Sequence, residues 1–186
     1  MTQPRLVSIV FSLFLVFGLA GLALAQSQPP TPAQPQTQPD KPACGPDHKI
    51  IYKRAVTLLD NAEKKLNAQF TAEAKSLAKE AKSLFAILQK ECGSTQKERP
   101  LTPKEEQQDA INQKLAADET AQAERLMKSA EESFKKAQPL EASNPAMYTQ
   151  LMKQAKSENE LAQKRSIKAM IYAMRTDQML FSWLAK

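Results

Sequence analysis

The sequence predicts an all-α fold made of two antiparallel helical hairpins, four helices with the last one long, packed in coiled-coil fashion. Three observations carry this. Beyond Cys44 the chain is dominated by Ala, Lys, Glu, Gln and Leu, and glycine occurs only at Gly45 and Gly93. Apolar residues recur at helical spacing, first Ile51, Ala55, Leu58, Ala62 and Leu66, then Ala74, Leu77, Ala81, Leu84 and Leu88. That spacing is the seam of a helix pair, in which alanine lets two backbones approach closely. Thr102-Pro103 and Asn144-Pro145 each set a capping side chain before a proline suited to the first helical position.

The elements follow in order. In residues 1–25, Arg5 precedes an apolar run that closes on Ala23-Leu24-Ala25. This is the pattern of a secretory signal peptide with an A-x-A cleavage site, so the mature chain is expected to begin near Gln26 and to be exported, periplasmic or secreted. Residues 6–25 are 20 in number, also enough to span a bilayer as an uncleaved anchor. Gly18 and Gly21 weaken such a helix, and the small residues Ala23 and Ala25 suit a peptidase. The first cysteine comes only at Cys44, so a lipid-acceptor cysteine directly after the apolar run is missing.

Residues 26–43 read as a Pro/Gln-rich linker: 26–42 hold five Gln and six Pro with almost no large apolar side chain. Such a composition cannot bury a core and favours an extended, partly polyproline tether.

Residues 44–93 form the first hairpin, with a break at 67–71. If the turn is centred near Gln69, residues whose numbers sum to about 138 lie opposite one another. Cys44 and Cys92 meet that condition at the open end, and the register predicts a disulfide between them, consistent with an exported chain.

Residues 102–186 form the second, longer hairpin. Glu105 and Glu106 suit the dipole of its first turn. The loop at 139–144 leads into a last helix of about 40 residues, unusually long for a compact domain. The two hairpins look like copies: residues 58–66 align with 126–134 at an offset of 68, and 77–83 with 151–157 at an offset of 74. Common descent and convergent helical composition both account for this.

Alternating large and alanine positions over 52–85, with Ala74, Ala78, Ala81 and Phe85, resemble one helical hairpin of the tetratricopeptide-repeat type. The resemblance covers about a third of the mature chain, lacks the family's Trp, Gly and Pro landmarks, and implies scaffolding or protein binding in place of chemistry. Residues 101–107 resemble the Leu-Thr helix starts of small periplasmic helical chaperones and metal-stress sensors, although any capped helix produces the same pattern.

Charge and motifs narrow the function classes. Removing Arg5 from the 26 basic residues leaves 25 against 20 acidic, a balance of +5 spread along the helices, which argues against nucleic acid as a partner. Cys44, Asp47, His48 and Cys92 offer metal-ligand chemistry, but the paired C-x-x-C or H-x-x-x-H spacing of zinc sites is absent. A disulfide with a bystander histidine is expected there. No catalytic residue, metal or cofactor is expected, since His48 is the only histidine and has no evident orienting partner.

The carboxyl terminus is the candidate contact region. Ile167, Met170, Ile171 and Met174 form a stripe that Met179, Leu180, Phe181, Trp183 and Leu184 widen, with five basic residues against one acid from Lys164 onward. Pairing the third and fourth helices about the 139–144 loop sets Ile171 opposite Ile111, with Phe181 and Trp183 near Leu101, so Ile167 to Met174 are expected to be buried. The adaptable Met179, Leu180, Phe181, Trp183 and Leu184 remain for a protein partner or an anionic membrane surface. The expectation is thus an exported, non-enzymatic helical scaffold or binding module of the bacterial cell envelope, with an envelope protein as partner. The alternatives are a membrane-surface protein and a small periplasmic chaperone.

Overall fold

The computed structural model describes residues 44–186, so the signal peptide and the linker lie outside the described residues. Four long helices and no strand are found among the described residues: α1 (Pro46–Asn67), α2 (Thr71–Lys97), α3 (Pro103–Ala137) and α4 (Pro145–Leu180). Short 3-10 turns follow α3 at Gln138–Leu140 and α4 at Ser182–Ala185. None of the helices is long and apolar enough to cross a membrane.

Local chemistry sets the helix ends. Pro46, Pro103 and Pro145 each open a helix, where the missing N–H costs nothing. Thr102 Oγ1 accepts the Glu105 amide while the Glu105 carboxylate accepts the Thr102 amide at 2.9 Å, a complete capping box. Asn144 Oδ1 accepts the Met147 amide at 3.1 Å. Between α1 and α2, Gln69 adopts φ 67°, the left-handed region. The Phe70 amide donates to Lys65 O and the Gln69 amide to Leu66 O, closing a Schellman motif with Gln where glycine is usual.

α1 and α2 fold back as expected, with Lys65 paired to Glu73 near the turn and Arg54 to Glu80 midway. Ala55, Ala62, Leu66, Ala74, Ala81 and Leu88 of the expected seam are buried, but at its other four positions the next residue takes the core place: Tyr52, Leu59, Ala78 and Phe85 are buried, whereas Ile51, Leu58, Leu77 and Leu84 flank the core. The reason is a third partner. The carboxyl-terminal half of α4 and the turn after it lie against the first hairpin; α4 contributes Ile167, Ile171 and Met174, and the residues after it Phe181 and Leu184, to one shared core. A stripe serving two neighbours is centred between them, which rotates the buried face away from a simple pairwise seam.

α3 packs along α4 and against neither α1 nor α2. The α4 contribution to the shared core begins at Ile167, and Lys164 Nζ donates to Gln69 Oε1 at the α1–α2 turn. Residues 145–163 of α4 and their partners in α3 therefore extend past that turn as a two-helix arm, about 28 Å long at 1.5 Å per residue. Its seam is built from alanine heptads, Ala123, Ala130 and Ala137 on α3 with Ala155 and Ala162 on α4, all buried. Ser129 Oγ donates to Glu158 across it at 2.9 Å, and at the base of the arm, just past residue 163, buried Glu119 takes Arg165 and Lys168, each at 2.9 Å.

Candidate functional site

Cys44 and Cys92 form the expected disulfide, with Cα atoms 5.0 Å apart, and no cysteine is free among the described residues. The Cys44, His48 and Cys92 donor atoms all lie within 4.8 Å of one another, but both sulfurs are spent in the bond and no thiolate remains to hold a metal. His48 is more than a bystander. Its Nδ1 accepts the Gly45 amide at 2.9 Å, which leaves the ring proton on Nε2, and Nε2 donates to Glu91 at 2.7 Å. The imidazole thus ties the start of α1 to the end of α2 beside the disulfide.

The carboxyl-terminal contact region needs correction. Phe181 and Leu184 are buried, and Met179, Leu180 and Trp183 are half-buried. Phe181 is 2 % exposed, which removes it as a free contact residue. Trp183 Nε1 donates to the buried Gln96 of α2 at 2.6 Å, and Lys49 Nζ of α1 donates to the Lys186 carbonyl at 3.0 Å. Tyr52 OH donates to Gln178 O at 2.9 Å; burial, and then the nearby Asp60, raise its pKa. The expected pairing of Ile171 with Ile111 is also replaced: Ile171 enters the core of the first hairpin and Ile111 is exposed. Pairwise reasoning overlooked that α1 and α2 present an apolar groove needing a third helix.

The docked segment is held laterally by charge. Arg175 bridges Asp60 at 2.8 Å and also pairs with Glu63, both on α1. Burial would lower the Arg175 pKa, but the two carboxylates outweigh it and the net direction is upward. On the α2 side Asp177 accepts from Gln89 at 2.6 Å. Burial, with Asp109 adding to it, raises the Asp177 pKa against the opposing pull of Gln89 and Lys82.

An apolar groove lies open on the arm. Met127, Ala130, Glu131 and Phe134 of α3 face Tyr148, Met152, Lys153, Ala155 and Lys156 of α4 across a groove of ≈ 720 Å³. Met127 is 48 % and Phe134 44 % exposed, and Met147 lies exposed near the arm's loop end. The offsets seen in the sequence give this groove its counterpart. Met127, Ala130 and Phe134 correspond to Leu59, Ala62 and Leu66; Met152, Ala155 and, by extension, Asn159 correspond to Ala78, Ala81 and Phe85. The first-hairpin residues are buried in the core that α4 completes, whereas the corresponding arm positions line a groove without a third helix.

Sequence reasoning passed over these groove residues because α3 carries so few large apolar side chains. The available signal was the alanine heptad, which occupies the seam and leaves Met127 and Phe134, seven apart, beside it. No protein family, curated protein or solved structure matches the chain.

Proposed function

We propose that this protein is an exported, non-enzymatic helical binding module of the bacterial cell envelope, with the arm groove as its contact surface. The observation that carries this reading is the exposure of Met127 and Phe134, with half-buried Met152 facing them, in a groove whose counterpart on α1 and α2 is covered. Methionine and aromatic side chains adapt to a partner's shape, and a contiguous apolar patch on a thin arm marks an interaction site. Export is supported by the Cys44–Cys92 disulfide together with the signal-peptide pattern of residues 1–25.

The membrane-surface reading loses much of its support, because the apolar stripe of the carboxyl-terminal helix is largely consumed against α1 and α2. A photo-crosslinking residue at Met152 of the exported protein tests the proposal in cells. A discrete protein adduct, lost when Phe134 is replaced by Lys, is expected. Absence of any adduct overturns the binding-module reading, a lipid adduct replaces it with the membrane reading, and a continuum of adducts replaces it with the chaperone reading.

A further inference from the structure

We infer that the occupant of the arm groove is an amphipathic helix of a partner protein that imitates residues 167–175 of this chain, with apolar residues at i, i+4 and i+7 and a basic residue on its α3-facing side. This inference rests on the binding-module reading and names the class of partner.

α1 and α2 make a groove whose floor is Leu59, Ala62, Leu66, Ala78, Ala81 and Phe85, and α4 fills it with Ile167, Ile171 and Met174. Those three residues stand at i, i+4 and i+7, the anchor spacing of a helix seated in a groove. The arm has Met127, Ala130, Phe134, Met152, Ala155 and Asn159 at the corresponding positions. α4 cannot fill that groove as well, since it supplies one of its walls. A third helix is thus provided within the chain for one hairpin and must come from outside for the other.

The rims correspond too. Glu63, which pairs with Arg175 of the docked helix, has Glu131 as its counterpart at the same offset of 68. Lys82, whose charge acts on Asp177, has Lys156 as its counterpart at the offset of 74. Both counterparts line the arm groove. The acid on the first-helix rim and the base on the second are therefore retained, and a matching ligand carries a cation toward α3 and an anion toward α4. One element departs: Asp60, the second acid around Arg175, has Lys128 at its counterpart position, and Glu131 pairs with Lys135 of its own helix, so the α3 rim offers a single carboxylate that a ligand's cation shares with Lys135. Asn159 in place of Phe85 leaves the groove shallower in polarity contrast at the end nearest α1 and α2, which suits a ligand anchored mainly on Met127, Phe134 and Met152.

The test uses the chain as isolated after export and, as probe, a fluorescent synthetic peptide with the sequence of residues 164–186, the segment that fills the first groove. Saturable one-to-one binding is expected, weakened by about tenfold or more in the variant M127K/F134K. Both replaced residues are exposed, so helical content and melting temperature serve as the folding control; Glu131→Lys is a second variant, expected to weaken the basic probe without touching the apolar floor. A scrambled peptide of equal composition is expected to bind at least about tenfold more weakly. Failure of the wild-type chain to bind, equal binding of the scrambled peptide, or indifference to M127K/F134K overturns the inference. Self-association abolished by M127K/F134K also overturns it, in favour of a second copy of the chain. A protein adduct at Met152 in cells, combined with no peptide binding here, removes the helical ligand while leaving the binding module standing.

Discussion

The two hairpins share a sequence pattern and differ in what covers them. In α1 and α2, the groove floor is sealed by the end of α4, held by Arg175 between Asp60 and Glu63 and by Trp183 on Gln96. In the arm the corresponding floor is open, and the two helices hold each other through alanines and the polar pairs of Glu119 and Glu158. Alanine heptads bury little apolar area per residue, so the arm's seam stabilises far less than the three-helix core. Similar hairpins thus divide the work: one becomes the stable body, the other a displayed surface.

The comparison can be broken most forcefully at the disulfide. Its two cysteines are 48 residues apart in sequence, and loop closure of that size contributes about 4 kcal/mol in the chain-entropy account. The double variant C44S/C92S should lose about that much stability in urea unfolding. Amide exchange should show the loss in α1, α2 and the end of α4 and leave the arm as it was. An equal loss of protection in the arm would mean that body and arm unfold as one unit.

A matched pair of truncations comes next. Leu59→Ala empties a fully buried site and should cost about 2–5 kcal/mol. Met127→Ala, its counterpart in the arm, removes a half-exposed side chain and should stay within about 0.5 kcal/mol. Equal effects in chemical denaturation would show that the arm groove is covered in the free protein.

The turn of the first hairpin offers a gain. Gln69 holds a left-handed backbone that favours glycine, so Gln69→Gly should stabilise by about 1 kcal/mol in thermal unfolding, with the lost Lys164 contact being solvent-exposed and weak. A decrease would assign the Lys164 bond a larger share in setting where the arm leaves the body.

The smallest effect is a divergence with pH. Burial raises the Glu119 pKa, but Lys168 and Arg165 outweigh it and the net direction is down; Glu158 is lowered chiefly by Gln154, with Ser129 and Ser133 adding to it. A depressed folded-state value stabilises above the unfolded carboxylate pKa and is lost as pH falls through the folded one. Asp177 has the opposite sign, so its protonation favours the docked state as pH falls. Amide exchange from neutral pH toward pH 3 should therefore show the arm seam loosening before the docked end of α4. The reverse order would break the contrast between the two seams.

Much of this was legible in the chain itself. Thr102-Pro103 and Asn144-Pro145 mark helix starts through short-range chemistry, and the hairpin register about Gln69 brings Cys44 to Cys92 because an antiparallel pair has one register. Burial of Ile167, Ile171 and Met174 was legible as well, since an apolar stripe at helical spacing seeks cover. Its partner was not. Periodicity says which face of a helix is apolar and nothing about which of several apolar faces it meets, so Phe181 and Leu184 read as free while Met127 and Phe134 passed unnoticed.

The sequence by itself determined the four helices, their turns and the disulfide, because capping, spacing and hairpin register act over a few residues or along one pair of helices. Only the tertiary structure decided which of two similar grooves receives the end of α4. That helix is a wall of the second groove and is long enough to run past the arm to the first, so connectivity leaves it one groove to fill and leaves the other, lined by Met127, Phe134 and Met152, open to solvent.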